Sequence, residues 1–155
     1  MVIYSSKIMK AIGIDYGTKN IGIALSDDNG VIAGNLGNIA NYGELASTKV
    51  IISMIDMYKV DTVVIGFPYN YRPGIQKEGE VAQKIGRLKS YLEKNTKVKA
   101  EYWDESYSSK IVEKTLRGKA RKRSDSEVAR LILQEYLDHK AMLEKLSKKK
   151  ISEKV

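Results

Sequence analysis

Acidic side chains close two apolar segments of this sequence and open a third. Asp15 follows directly on Ile12-Gly13-Ile14 within GIDYGTKNIGIALSD (13–27), Asp104 and Glu105 end the segment KVKAEYWDES (97–106), and Asp125 stands in the first turn of the last amphipathic stretch. Carboxylates brought together repel one another and raise one another's pKa unless a cation lies among them. Mg²⁺ suits such a group, being a hard ion content with a few carboxylates plus water and phosphate oxygens, and Mn²⁺ is a possible substitute. Two such ions about 3.5–4 Å apart activate a water and stabilise the leaving oxygen of a phosphodiester. That chemistry needs neither Cys nor His. The sequence has no cysteine and a single histidine, His139, which removes thiol nucleophiles, Cys-based zinc sites and His-cluster metal sites. Each acid also has an ordinary structural use: Asp15 can open a turn with Gly17, and Asp125 can complement a helix dipole. Asp104 and Glu105, adjacent in a strand, point to opposite faces, so one at most readily enters a shared site. Only the set together points to a metal.

Positioning those acids requires a particular order of elements. Residues 8–15 and 20–26 read as two strands joined by Tyr16-Gly17-Thr18-Lys19, a connection short enough to force antiparallel pairing. Asp28-Asn29-Gly30 reads as a two-residue type I′ hairpin turn leading to a third strand near 31–39. Residues 44–58 place Leu45, Val50, Ile51, Ile52, Ile55 and Tyr58 at helical spacing, and 76–94 do the same with Val81, Ile85, Leu88 and Leu92. Between them DTVVIGFP (61–68) is continuously apolar, as a strand buried on both faces beside a parallel neighbour would be. A fifth strand follows at 97–106, then a short helix over 107–117. The last helix opens on a capping box, Ser124 with Glu127, ahead of Val128, Ile132, Leu133, Tyr136 and Leu137. The order βββαβαβ(α)α, with right-handed crossovers, gives an α/β fold: a mixed five-stranded sheet of a three-stranded antiparallel meander plus two parallel strands, flanked by helices. This is the ribonuclease H-like topology. Its strand ends next to the crossover are where the three acids fall.

The chain of 155 residues is long enough for one well-cored domain, read here as residues 1–144 with a basic, polar and aperiodic tail at 145–155. Its net charge of +8 favours a polyanionic partner, nucleic acid first. From Lys110 to Arg123 seven basic residues stand against one acid, Glu113. The N-terminal MVIYSSKIMK lacks the apolar core of a signal peptide, and no apolar run is long enough to span a bilayer. A cytoplasmic protein with no membrane partner is expected.

With these residues in hand, the chain resembles the YqgF/RuvX family, whose members carry the names Holliday junction resolvase and pre-16S rRNA nuclease. The resemblance runs from about Ile8 to about His139. GIDYGTKNIGIALSD is similar to the family's first motif and VVIGFPYN (63–70) to its second. WDES (103–106) is similar to its Asp-Glu-Arg motif, and SDSEVARLILQEYLD (124–138) to its closing motif. The resemblance implies that Asp15, Glu105 and Asp125 are the catalytic, metal-binding acids, with Mg²⁺ as cofactor. It places Asn70 in the site's lining, where Asp104 and Thr18 are expected as well. Lys119 to Arg123 would form a basic loop ahead of the last helix, so that Arg117, Lys119, Arg121, Lys122 and Arg123, with Arg72, are expected to hold nucleic acid. Two positions depart from the pattern: Ser106 stands where the family has arginine, and Arg130 where it has the second alanine of the closing helix.

Phosphate contacts carry no sequence information, so the basic residues do not name the substrate. The resemblance implies processing of pre-16S rRNA, with branched DNA and junction resolution as the alternative, by a monomer or a homodimer. A non-catalytic nucleic-acid-binding module is the reading of another class, to which Ser106 lends weight. A Gly-Ile-Asp-x-Gly-Thr-x-x-x-Gly stretch also resembles the first phosphate motif of the actin-like ATPases, but those enzymes close two such domains around a nucleotide and this chain has room for one.

Overall fold

Small residues alternate with large ones along the first two strands, and that alternation decides how the sheet is covered. The structure is a computed structural model that describes residues 10–68, 76–104 and 125–153. Five strands, β1 (Ala11–Tyr16), β2 (Asn20–Ser26), β3 (Ala33–Ala40), β4 (Thr62–Phe67) and β5 (Lys99–Asp104), form one sheet in the order β3-β2-β1-β4-β5. β1–β2 and β2–β3 are antiparallel; β1–β4 and β4–β5 are parallel. The mixed ribonuclease H-like sheet expected from the sequence is thus the observed one, with DTVVIGFP as a central strand between two parallel neighbours.

Helices α1 (Glu44–Tyr58) and α2 (Gln76–Asn95) cover one face, and α3 (Asp125–Glu153) covers the other. Toward α1 and α2 point Ile12, Ile14 and Tyr16 of β1, Ile21 and Ile23 of β2, and Val63 and Ile65 of β4; they meet Ile51, Ile55, Ile85, Leu88 and Leu92. The opposite row is small: Ala11, Gly13, Gly22 and Ala24, with Val64 and Ala33 beside them. A row without bulk lets a single helix approach closely, and Val128, Ala129, Ile132, Leu133, Tyr136 and Leu137 fill the space. At Gly13 an added Cβ would lie 2.8 Å from Leu133 Cβ and 2.9 Å from the Ala129 carbonyl oxygen. Trp103 of β5 packs on this face, its ring edge-on to Tyr136 at 5.8 Å and its Nε1–H donating to Glu135 Oε2 at 2.9 Å. Burial, with the Glu101 carboxylate beside it, pushes the Tyr136 hydroxyl well above the ordinary tyrosine range.

Three local expectations change. The β2–β3 connection is not a two-residue type I′ turn, which needs positive φ at both central residues. Gly30 alone has one (φ 67°); the loop spans 27–32, with the Gly30 N–H donating to the Asp27 carbonyl. Asp27 Oδ1 accepts the N–H groups of Val31 at 2.7 Å and Ile32 at 3.1 Å, satisfying donors a longer loop would leave open. α1 does not bury Leu45 and Val50, which are exposed; it buries Ser47 and Thr48 with Ile51 and Ile55. Ser47 Oγ donates to Asn41 Oδ1 and Thr48 Oγ1 to the Glu44 carbonyl, so these small polar groups enter the interface already hydrogen-bonded. Residues 145–153, expected as a polar tail, continue α3 as exposed helix. The expected helix at 107–117 and Ser124 of the capping box lie outside the described residues.

Candidate nucleolytic site

Alternation along β1 puts Ala11, Gly13 and Asp15 in the row that faces α3. Asp15 is buried at 8% exposure near the carboxyl end of this strand, a place an acid does not take for packing alone. Its partner across the antiparallel ladder is Gly22. A Cβ added at Gly22 would lie 2.0 Å from the carbonyl oxygen of Asp125, 2.1 Å from its carbonyl carbon and 2.6 Å from the Ser126 nitrogen. The first turn of α3 therefore sits on the bare backbone of β2, directly beside Asp15. Directly opposed residues on one face of an antiparallel pair have Cβ atoms about 5 Å apart, so the Asp125 main chain comes within about 7 Å of the Asp15 Cβ. Side chains anchored on main chain that close are within reach of one cation. The amino end of a long helix adds positive potential at the same place.

Asp104, at the end of β5, belongs to the other row. Ala100 and Tyr102 pack toward α1 and α2 and Trp103 toward α3, so Asp104 falls on the face away from Asp15. Thr18 is exposed in the turn between β1 and β2, at the same end of the sheet as Asp15. The structure thus sets the Asp125 main chain on the strand partner of Asp15, leaves Thr18 in the turn after β1 and puts Asp104 on the other face. Glu105, Asn70, Arg72, Arg117, Lys119, Arg121, Lys122 and Arg123 lie outside the described residues. Among the described residues no three His, Cys, Asp or Glu side chains converge as metal ligands, and no helix is long and apolar enough to cross a membrane.

Gly22 is the residue that reading for chemistry passed over. Its signal was an isolated glycine in a strand of Ile and Ala, which marks a place where another backbone comes close. A cavity of about 280 Å³ between α1 and α2, lined by Tyr16, Leu45, Thr48, Arg87 and Tyr91, lies on the far face of the sheet. Arg87 Nε donates there to Glu44 Oε1 at 2.7 Å, and the acid pair takes no part in it.

The family model RuvX, described as Holliday junction resolvase, matches residues 9–139. A "Putative pre-16S rRNA nuclease" of Clostridium botulinum (strain Alaska E43 / Type E3) is 34% identical over 136 residues, covering 84% of this chain and 97% of its own. One of the same name from Carboxydothermus hydrogenoformans is 36% identical over 139 residues, covering 86% and 99%. Among solved structures, T. thermophilus RuvC in complex with a Holliday junction substrate aligns with a TM-score of 0.60 at 15% identity, over 86% of this chain and 96% of that one. The Fowlpox virus resolvase in complex with Holliday junction DNA aligns with a TM-score of 0.51 at 12% identity, over 84% and 98%. At those identities the likeness is one of fold.

Proposed function

We propose that this chain, which belongs to the RuvX family, is a divalent-metal-dependent nuclease that hydrolyses phosphodiester bonds in structured nucleic acid, with the ends of pre-16S rRNA as its substrate in the cytoplasm. The observation that carries the proposal is the meeting of Asp15 and the start of α3 over Gly22. A buried strand-end carboxylate and a helix-start carboxylate, both hard oxygen donors, fit Mg²⁺ or Mn²⁺. The third acid of this reading is Glu105. The resemblance to the family assigns that role to Glu105, and Asp104 occupies the row facing away from Asp15.

In this mechanism Asp15, Asp125 and Glu105 are the residues that would hold a divalent cation. Bound there, it would supply charge neutralisation at the phosphate and activation of a water. Around it the protein's part is placement: the apolar floor under β1 keeps Asp15 in one position, and α3 delivers Asp125 as a rigid unit. The basic residues Arg117, Lys119, Arg121, Lys122 and Arg123, with Arg72, hold the phosphate backbone, while Asn70 and Thr18 line the site.

The test is cleavage of matched pre-16S rRNA, a four-way DNA junction and a linear duplex, by the wild type and by Asp15→Asn, Glu105→Gln and Asp125→Asn, with and without Mg²⁺. We expect cutting of the rRNA precursor only, dependent on Mg²⁺ and lost in each variant at saturating substrate. Junction cutting in its place would make the protein a resolvase. Binding without cutting by the wild type would make it a non-catalytic module and sink the hydrolytic reading.

A further inference from the structure

We infer that Gly22 is a positioning residue for this site: by carrying no side chain it sets how closely Asp125 stands to Asp15, and so sets the affinity for a divalent cation. The inference rests on the reading that those two acids share one ion.

Contact distances decide the matter. A carbon and a carbonyl oxygen meet no closer than about 3.3 Å even in the short C–H···O contacts of sheets. An alanine Cβ at Gly22 would stand 2.0 Å from the Asp125 oxygen, so the start of α3 would have to retreat by about 1.3 Å. The atoms it meets are main chain (the carbonyl of Asp125 and the nitrogen of Ser126), not the yielding end of a long side chain. Further down the same helix, Gly13 forms a second contact through Leu133 and Ala129, where an added Cβ would meet milder approaches of 2.8 and 2.9 Å. A wedge at Gly22 therefore tips the helix about its grip at Gly13, and the turn bearing Asp125 moves most. Metal–oxygen bonds keep to within about 0.2 Å of their usual lengths. A main-chain retreat several times larger draws Asp125 away from an ion held by Asp15.

The experiment uses the full chain with Mn²⁺ as probe, its binding followed by calorimetry and folding checked by Trp103 fluorescence. Gly22→Ala is expected to weaken Mn²⁺ binding by about 10–100-fold, the range for groups that orient ligands from behind. Gly13→Ala, which wedges the same helix farther from the acids, is expected to weaken it less. Asp125→Glu supplies a readout that a purely structural role would not move. In the wild-type background the longer acid overshoots and lowers affinity; in Gly22→Ala it spans the opened gap and restores part of the loss. Mn²⁺ binding by Gly22→Ala equal to the wild type would overturn the inference, as would losses tracking stability in both glycine variants with no reversal by Asp125→Glu. Should Gly22→Ala fail to fold, Asp125→Glu alone decides: undiminished affinity would mean the spacing is immaterial. If Asp125→Asn abolishes Mn²⁺ binding and Gly22→Ala leaves it at the wild-type level, only the role of Gly22 falls. If Asp125→Asn leaves binding untouched, the shared-ion reading falls and takes this one with it.

Discussion

Substituting Gly13 by alanine tests how α3 is held to the sheet. The new Cβ would lie 2.8 Å from Leu133 Cβ and 2.9 Å from the Ala129 oxygen. Contacts of this kind settle near 3.5–4.0 Å, so the helix must rise by about 0.6–1.2 Å. Overpacking on that scale costs about 1–3 kcal/mol. For a chain of this size each kcal/mol lowers Tm by about 2–4 °C. Leu133→Ala acts through a different loss: the side chain is fully buried, and such truncations cost about 2–5 kcal/mol. A cavity beside an overlap often relieves it. Here it does not, because the overlap is with the Cβ of Leu133, which alanine retains, and with a main-chain oxygen. The double variant should therefore be less stable than Leu133→Ala alone by roughly the cost of Gly13→Ala. Trp103, the sole tryptophan, lies against Glu135, Tyr136 and His139 of α3, so urea unfolding followed by its fluorescence reports helix docking directly. A double variant as stable as Leu133→Ala, or more so, would refute the close-contact account.

Neutralising Arg121, Lys122 and Arg123 together should weaken nucleic-acid binding and flatten its salt dependence, by about 0.9 in the log–log slope for each duplex phosphate that is no longer neutralised; binding measured across a salt series checks this, and an unchanged slope would contradict the assignment. Asp27 gives a pH dependence. Hydrogen bonds from the Val31 and Ile32 amides hold its folded pKa below the ordinary 3.8, so its contribution is whole above that value and is lost as pH falls through the folded pKa. Asp27→Ala should accordingly show a shallower loss of stability on acidification below about pH 4, read by urea midpoints at stepped pH.

Much of this architecture was legible because hydrophobic period and burial agree. The 3.6-residue spacing of Ile85, Leu88 and Leu92, and of Val128, Ile132, Leu133, Tyr136 and Leu137, marked faces that are buried as expected. α1 misled because its interface uses small hydrogen-bonded residues, Ser47 and Thr48, where a hydrophobic count looks for Leu45 and Val50. The hairpin misled because Asp-Asn-Gly satisfies two turn geometries, and the choice fell to the carboxylate of Asp27, which reaches past the glycine to Val31 and Ile32. Asp15 and Asp125 could be nominated from strand-end and helix-start positions. Their nearness could not: it depends on which face each strand turns to α3 and on a missing Cβ one strand away. The same face assignment, which separates Asp104 from Asp15, is set by Trp103 and Tyr102 packing to opposite sides.

The helix that completes the acid pair comes from one end of the chain and lies across strands from the other. Translation delivers the amino terminus first. A growing polypeptide can pair its opening meander while the ribosome still holds everything after it, leaving the row of Ala11, Gly13, Gly22 and Ala24 bare. Asp15 is then in place well before Asp125, which arrives only once the closing segment has cleared the exit tunnel. Whatever hydrolysis the pair supports therefore awaits the docking of α3 on that row.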